Sequence, residues 1–180
     1  MAMPALRQFT VEELEAFPPD GNRYELLYGV LLVTPQAGLP HQIVATRLAF
    51  LLGTVISEEP QIQICAPGAV EIRPHIHLEP DILIGNMPIV PRWDAVLDHW
   101  LAVEVSGTAS RVYDRDYKRD GYLGVGVQEV WIVDLDLEVV FVSQAGGKMD
   151  VPHDRTVTWC TPRGREVEID VAALFRGVPK

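Results

Sequence analysis

The sequence predicts an α/β protein with a mixed β-sheet core flanked by helices. Two nearly continuous apolar runs, residues 101–105 and 129–133, are typical of central strands that are covered on both faces. The segment between them is long enough for a crossover helix, as a parallel pair of strands requires. Apolar residues also recur at helical spacing over residues 41–58, which predicts a long amphipathic helix packed on the sheet.

The N-terminal elements are predicted from local signals. Thr10 and Glu13 can form a capping box, which predicts a short helix at residues 9–14. Residues 23–27 and 30–35 flank Tyr28-Gly29 and predict an N-terminal hairpin. Glu25 lies on the first strand of that hairpin. Three β-branched segments separated by prolines predict further strands, at residues 62–64, 70–73 and 81–84.

The remaining elements follow the central strands. The crossover helix is predicted over residues 111–123, because Gly124 and Gly126 can end it. A hairpin strand, two C-terminal edge strands and a short helix are predicted at residues 137–142, 157–160, 167–171 and 171–175. Without a linker or an internal repeat, we expect a single domain over residues 1–180.

Composition limits the possible partners. The chain has 180 residues, 48% of them hydrophobic, and a formal net charge of -10. This charge argues against general affinity for nucleic-acid backbones, so any nucleic-acid contact must be local. Cys65 and Cys160 do not form a disulfide framework, which favours a cytoplasmic location. We expect no membrane segment, because no uninterrupted apolar stretch is long enough to cross a bilayer.

Three charged residues indicate a catalytic site. Asp81 follows Pro80 at the start of a strand, and Glu104 lies inside the next apolar strand. A buried carboxylate costs several kcal/mol unless a cation or donors meet it, and neighbouring strands would bring the two together. Lys118 on the crossover helix can position or deprotonate a water and offset charge at a phosphate. Carboxylate oxygens with room for water suit Mg²⁺ or Mn²⁺.

These residues resemble the Uma-type restriction endonuclease family of the PD-(D/E)xK nuclease superfamily. The matching stretches cover most of the chain, namely residues 9–14, 23–26, 29–31, 41–42, 80–83, 104–106, 113–118 and 129–134. The resemblance implies a restriction-endonuclease-like fold and a metal held by Asp81 and Glu104, with Glu25 contributing to the site. The superfamily usually places its lysine two residues after the second carboxylate, where this chain has Ser106. The Uma-type pattern takes it from the following helix instead, at Lys118.

The resemblance also implies a function and partners. DNA is the expected substrate, hydrolysed by a water activated at Mg²⁺ and oriented by Lys118. A homodimer is expected, because cutting both strands of a duplex usually needs two active sites. Two weaker substrate-binding candidates are His41, at the positive end of the long helix, and Ser106.

Each candidate residue also has a purely structural interpretation. Asp81 could hydrogen-bond a turn, and Glu104 could form a buried ion pair with an arginine. Lys118 could pair with a residue one turn earlier on the helix surface, Asp114. Glu25 could form an exposed cross-strand pair. His41 could simply cap the start of its helix and be exposed to solvent there.

Two other functions remain open. The chain could keep the fold to bind a partner or nucleic acid without cleaving it, which the acidic charge favours. It could also be a small metal-binding hydrolase, because His75 and His77 share strand parity with Glu79 and Asp81. Pro74 and Pro80 interrupt that regularity, and two loop-exposed histidines explain the pattern equally well.

Overall fold

The structure, a computed structural model, describes residues 7–56, 62–87, 91–96, 98–108, 110–111 and 113–179. The helices are α1 (Val11–Glu15), α2 (Leu39–Ile56), α3 (Arg119–Gly124) and α4 (Val171–Phe175), and a π-helix (Tyr113–Lys118) directly precedes α3. The strands are β1 (Asn22–Leu27), β2 (Val30–Pro35), β3 (Ile62–Cys65), β4 (Val70–Ile72), β5 (Ile76–Leu78), β6 (Ile82–Asn86), β7 (Asp98–Ser106), β8 (Glu129–Asp134), β9 (Val139–Gln144), β10 (Val151–His153), β11 (Thr156–Cys160) and β12 (Glu166–Asp170).

Strand pairing produces a mixed main sheet with the order β10-β9-β8-β7-β6-β3. β7 and β8 are parallel and the other neighbours are antiparallel, so the predicted crossover and the α/β class are confirmed. The N-terminal hairpin, also confirmed, belongs to a second sheet with the order β2-β1-β5-β4. β11 and β12 pair with each other as a separate two-stranded sheet instead of extending the main one.

The main sheet is covered on both faces. One face packs against α2, the C-terminal strands and α4, through residues such as Leu48, Trp131 and Leu174. The other face packs against the N-terminal hairpin and α3, through residues such as Leu27 and Tyr122. The central strands are therefore apolar on both sides, which explains their continuous apolar sequences.

Helix α2 differs from its prediction. Val44, Leu48 and Leu52 are buried against the sheet as expected, but Leu39 and Phe50 leave apolar surface on its outer side. Among the described helices it is long and apolar enough, by length and composition, to cross a membrane, which we did not expect from the sequence. Its buried residues are part of the main hydrophobic core, as in the core helix of a globular domain.

Two short strands were not predicted. β5 and β10 have three residues each, and prolines lie before β5 and inside β10. Such short segments carry too little alternation to be recognised. Between β6 and β7, where the sequence is rich in proline, the described residues 91–96 contain a 3₁₀ turn at Trp93–Ala95. The predicted end of α2, residues 57–58, lies outside the described residues.

A glycine in β6 controls how closely this strand approaches β7. The pairing register shifts between Ile84 and Gly85, and a Cβ atom at Gly85 would lie 2.3 Å from the backbone oxygen of Asp98. Real Cβ atoms do not approach a backbone oxygen so closely, so only glycine fits here.

We therefore expect Gly85→Ala to lower the free energy of unfolding by about 2 kcal/mol or more, because the backbone of β7 must move. Urea unfolding followed by circular dichroism measures this change. The control is Gly53→Ala in α2, where a Cβ meets no atom within 4 Å. That variant should gain up to about 1 kcal/mol from helix propensity. Equal stabilities for Gly85→Ala and the wild type would contradict the prediction.

Candidate active site

A buried lysine lies at the centre of the candidate site. Lys118 Nζ is 2.8 Å from Glu25 Oε2 and 3.0 Å from Glu104 Oε1. The side chains of Lys118 and Glu104 are 2% exposed and that of Glu25 is 0% exposed. Asp114 is also buried, with Oδ1 3.8 Å from the same nitrogen. These contacts exclude a surface helix pair for Lys118 and an exposed cross-strand pair for Glu25.

Three separate segments supply this cluster. Glu25 comes from β1, Glu104 from β7 and Lys118 from the end of the π-helix. The backbone N–H of Glu79 donates to Glu25 Oε1 at 2.8 Å, and the hydroxyl of Tyr122 donates to Glu104 Oε1 at 2.6 Å. The two carboxylates are thus held in fixed orientations around the ammonium group.

Asp81 lies beside this cluster, just before β6. Ile82 pairs with Val103 in the β6–β7 register, which places Asp81 next to Glu104 at the same end of the sheet. Asp81 Oδ2 accepts a hydrogen bond of 2.8 Å from the backbone N–H of Val105 and lies 2.8 Å from Nε2 of His41. Asp81 Oδ1 accepts a bond of 3.1 Å from Arg23 Nη2. Asp81 therefore links the start of β6 to β7 and also faces the site.

The pKa values of the two strand carboxylates move in opposite directions. Burial raises the pKa of Asp81, but the hydrogen bond with His41, the charge of Arg23 and the N–H of Val105 outweigh it, so the net pKa is lowered. Burial raises the pKa of Glu104 well above its ordinary value, and the charge of Asp81 adds to this rise, although Lys118 opposes it. Asp81 is thus ionised over a wider pH range than Glu104.

The cations of the site remain charged. Burial alone would lower the pKa of Lys118, but Glu104, Glu25 and Asp114 together raise it above its ordinary value. The pKa of Arg23 is raised in the same way, because Asp81, Glu104 and Glu25 outweigh its burial. Four carboxylates, of Glu25, Asp81, Glu104 and Asp114, lie around these two cations, so the formal charge of the group is negative when all four are ionised.

A cavity of about 630 Å³ opens onto this cluster. Asp81, Glu104, Lys118 and Arg23 all contribute to its wall, and the first three of these side chains are almost completely buried. Much of the remaining wall is apolar or aromatic, namely Leu31, Leu32, Val33, Pro40, Val105, Tyr113 and Leu135. This size and mixed lining are typical of a binding site with a few convergent polar groups.

The two weaker candidates for substrate binding, His41 and Ser106, lie in different parts of the site. His41 lines the cavity, and its contact with Asp81 makes it more than a solvated helix start. Ser106 is fully buried, and its hydroxyl donates a bond of 2.6 Å to Asp114 Oδ2. In the described structure, Ser106 is therefore connected to the site by its hydrogen bond with Asp114.

The histidine pair of the alternative metal site is arranged differently. His77 Nδ1 lies 2.9 Å from Glu71 Oε2 and its Nε2 lies 3.2 Å from Glu79 Oε1, while His75 Nδ1 faces the carbonyl of Phe9. In the described part of the chain, no group of three His, Cys, Asp or Glu side chains is placed to hold a metal ion. Because His75 and His77 also bind different partners, the structure does not support a metal site built on this pair.

Arg23 and Tyr122 were not identified from the sequence, and Asp114 was expected only as a surface partner of Lys118. Arg23 shares strand parity with Glu25, and Asp114 and Tyr122 lie four residues before and after Lys118. Parity on a strand and spacing on a helix could have placed each of them beside a predicted residue. Glu104 has Lys118 and Tyr122 as partners, where the structural alternative expected an arginine.

A mixed sheet that presents carboxylates from neighbouring strands next to a buried lysine defines the restriction-endonuclease-like class of nucleases. The family model described as "Putative restriction endonuclease" (Uma2) matches residues 11–174, and the chain belongs to this family. A crystal structure from Anabaena variabilis, described as a putative nuclease belonging to DUF820, has a TM-score of 0.76 and 16% identity. The match covers 95% of this chain and 99% of that one, and it shows the shared fold. A comparison with curated proteins finds no match.

The excess negative charge predicts opposite effects on stability for two variants. Lys118→Met should lower the free energy of unfolding by about 3–5 kcal/mol, because Glu25 and Glu104 lose their common counter-charge. Glu104→Gln keeps an acceptor for Lys118 and Tyr122 and removes one repelling charge, so it should raise the free energy by about 0.5–2 kcal/mol. Urea unfolding with a chelator at neutral pH measures both.

The gain from Glu104→Gln should depend on pH. Because the folded-state pKa of Glu104 is raised, the ionised carboxylate destabilises the fold above that pKa, and protonation relieves the cost as the pH falls towards 4.5, the ordinary value. The difference between variant and wild type should therefore shrink over this range. A loss of stability in Glu104→Gln as large as that in Lys118→Met would show that no charge excess exists.

Proposed function

We propose that this chain hydrolyses phosphodiester bonds in DNA with the help of a divalent cation, Mg²⁺ or Mn²⁺. The observation that supports this most directly is the convergence of Glu25, Asp81, Glu104 and Lys118 on one cavity wall or directly behind it. Membership of a family described as restriction endonucleases supports nucleic acid as the substrate class. The homodimer and the cytoplasmic location remain predictions.

The donor set fits a hard divalent cation. Asp81 and Glu104 present carboxylate oxygens at the cavity, and the site has more negative than permanent positive charge. Because no three acidic or histidine side chains in the described residues are placed to hold a metal, these two would have to share the ion with water and phosphate oxygens, as is usual for Mg²⁺. Such an ion supplies Lewis acidity and a lowered pKa for a bound water.

The chain's own groups would position the reactants. Lys118, held by Glu25 and Glu104, is a charged donor that can orient the attacking water and offset charge on the phosphate. Its raised pKa makes it a poor general base, so we assign it positioning and charge stabilisation. Arg23 is a second cation on the wall that can contact a phosphate oxygen.

The cleavage test uses purified chain with supercoiled plasmid and with single-stranded DNA, in Mg²⁺ or Mn²⁺. Asp81→Asn should slow cleavage by about a hundredfold or more, because it removes a charged ligand of the cation. Asp154→Asn, at an exposed carboxylate away from the cavity, is the matched control and should cleave like the wild type. Equal rates for the wild type and Asp81→Asn would refute the assignment.

Metal binding has a test that does not depend on activity. Calorimetric titration with Mn²⁺ should give one site in the wild type and in Asp154→Asn, and no measurable binding in Glu104→Gln. Uptake that persists unchanged in Glu104→Gln would remove Glu104 from the site. A wild type that takes up Mn²⁺ and binds DNA without cleaving it would be the non-catalytic nuclease-fold binding protein, the alternative left open by the acidic charge.

A further inference from the structure

We propose that Tyr113 and Tyr117 form a stacking platform for an unpaired nucleobase, which makes single-stranded nucleic acid the preferred ligand of this site. The inference rests on the proposed function, because it takes the cavity to bind a nucleic-acid phosphate. It goes further by naming the form of the nucleic acid and the residues that select it.

The two tyrosine rings already form a stack. Their centroids are 5.4 Å apart and their planes are inclined by 28°. Tyr113 lines the cavity, whereas Tyr117 is 59% exposed. The stack therefore runs from the cavity wall to the protein surface and ends in an aromatic ring that is open to solvent. A nucleobase has a flat apolar face of the kind that extends such a stack.

The two tyrosines belong to the same backbone segment as the central lysine of the charged cluster. Tyr113 and Tyr117 lie on the π-helix that ends at Lys118, so one short segment carries both rings and the central ammonium. π-Helical turns occur frequently at functional sites. Burial and the nearby charge of Glu25 raise the pKa of Tyr113, which is consistent with its place beside the cluster. A nucleotide whose phosphate reaches Lys118 can therefore place a neighbouring base near these rings.

Electrostatics around the cavity favour a strand over a duplex. Arg23 and Lys118 are already paired with carboxylates, and nearby Arg115 and Arg119 both contact Asp150. Duplex binding relies on many Lys and Arg contacts to phosphates, which a chain with a net charge of -10 offers poorly. Base stacking needs no cation and typically strengthens single-strand binding by about tenfold per base.

The experiment measures DNA binding by the full chain with Ca²⁺ in place of Mg²⁺, so that a divalent ion is present while cleavage is suppressed. The probes are a fluorescein-labelled oligothymidylate, a duplex of matched length, and a strand carrying 2-aminopurine, whose fluorescence is quenched by stacking. Tyr117→Ala removes the exposed ring and Tyr117→Phe keeps it. Phe50→Ala is the control, since Phe50 is an exposed aromatic residue on α2 outside the cavity lining.

We expect the wild type to bind the single strand more tightly than the duplex. Tyr117→Ala should weaken single-strand binding by about tenfold and abolish the quenching of 2-aminopurine. Tyr117→Phe should stay within about twofold of the wild type, and Phe50→Ala should not differ from it. Thermal melting by circular dichroism checks that the variants remain folded. If Tyr117→Ala does not, Tyr117→Leu, which keeps an apolar side chain but has no aromatic ring, takes its place and should show the same loss of about tenfold.

The outcomes separate the two proposals. DNA cleavage together with unchanged binding and quenching in Tyr117→Ala would overturn the stacking platform and leave the nuclease proposal intact. Tighter binding of the duplex than of the single strand by the wild type would also overturn it. A wild type that neither binds nor cleaves any DNA would overturn both.

Discussion

The ion pairs of the Lys118 ammonium group with Glu25 and Glu104 are the constraint on which the rest of the site depends. Burying the Lys118 ammonium group without any counter-charge would cost several kcal/mol, so carboxylates must lie next to it whenever the chain folds. The three groups come from three separate elements, the hairpin, the central strand and the π-helix, and the hairpin is distant in sequence from the other two. The same contacts thus fix how the second sheet and the crossover segment lie against the main sheet.

This arrangement neutralises the site only in part. Lys118 balances one of its acidic neighbours and Arg23 balances another, while burial and mutual repulsion raise the pKa of Glu104. A fold selected for stability alone would replace such a cluster by apolar side chains. On the proposed function, a cation bound at the wall of the cavity would offset this negative charge, and functional sites commonly contain groups that destabilise the fold.

The neighbouring positions of Asp81 and Glu104 could be predicted from the sequence, for a physical reason. A carboxylate inside the apolar strand around Glu104 must have a partner, and this requirement is visible without a structure. The identity of the partner was harder to predict, because it depends on how β1 and the π-helix approach β7. Arg23 was missed because its contact with Asp81 joins residues that are 58 positions apart. The contact depends on the pairing of β1 with β5, a strand that is too short to recognise from the sequence. The pairing of β11 with β12 could not be predicted either, because the alternation of apolar and polar residues in a strand does not show which strand lies next to it.

An acidic protein that acts on a polyanion must create local attraction without an overall positive field. On the proposed function, the described cations of the cavity wall can do so only by exchanging partners, because Arg23 and Lys118 are both bound to carboxylates. A divalent ion at Asp81 would compete with Arg23 for that carboxylate and leave the guanidinium available to a phosphate. The cation and the substrate would then strengthen each other's binding. The cation would free Arg23 from Asp81, and the phosphate of the substrate would give Arg23 a new counter-charge. On the same proposal, the aromatic stack would add affinity that does not depend on this exchange, so that a chain with a net charge of -10 could still hold a nucleic-acid strand.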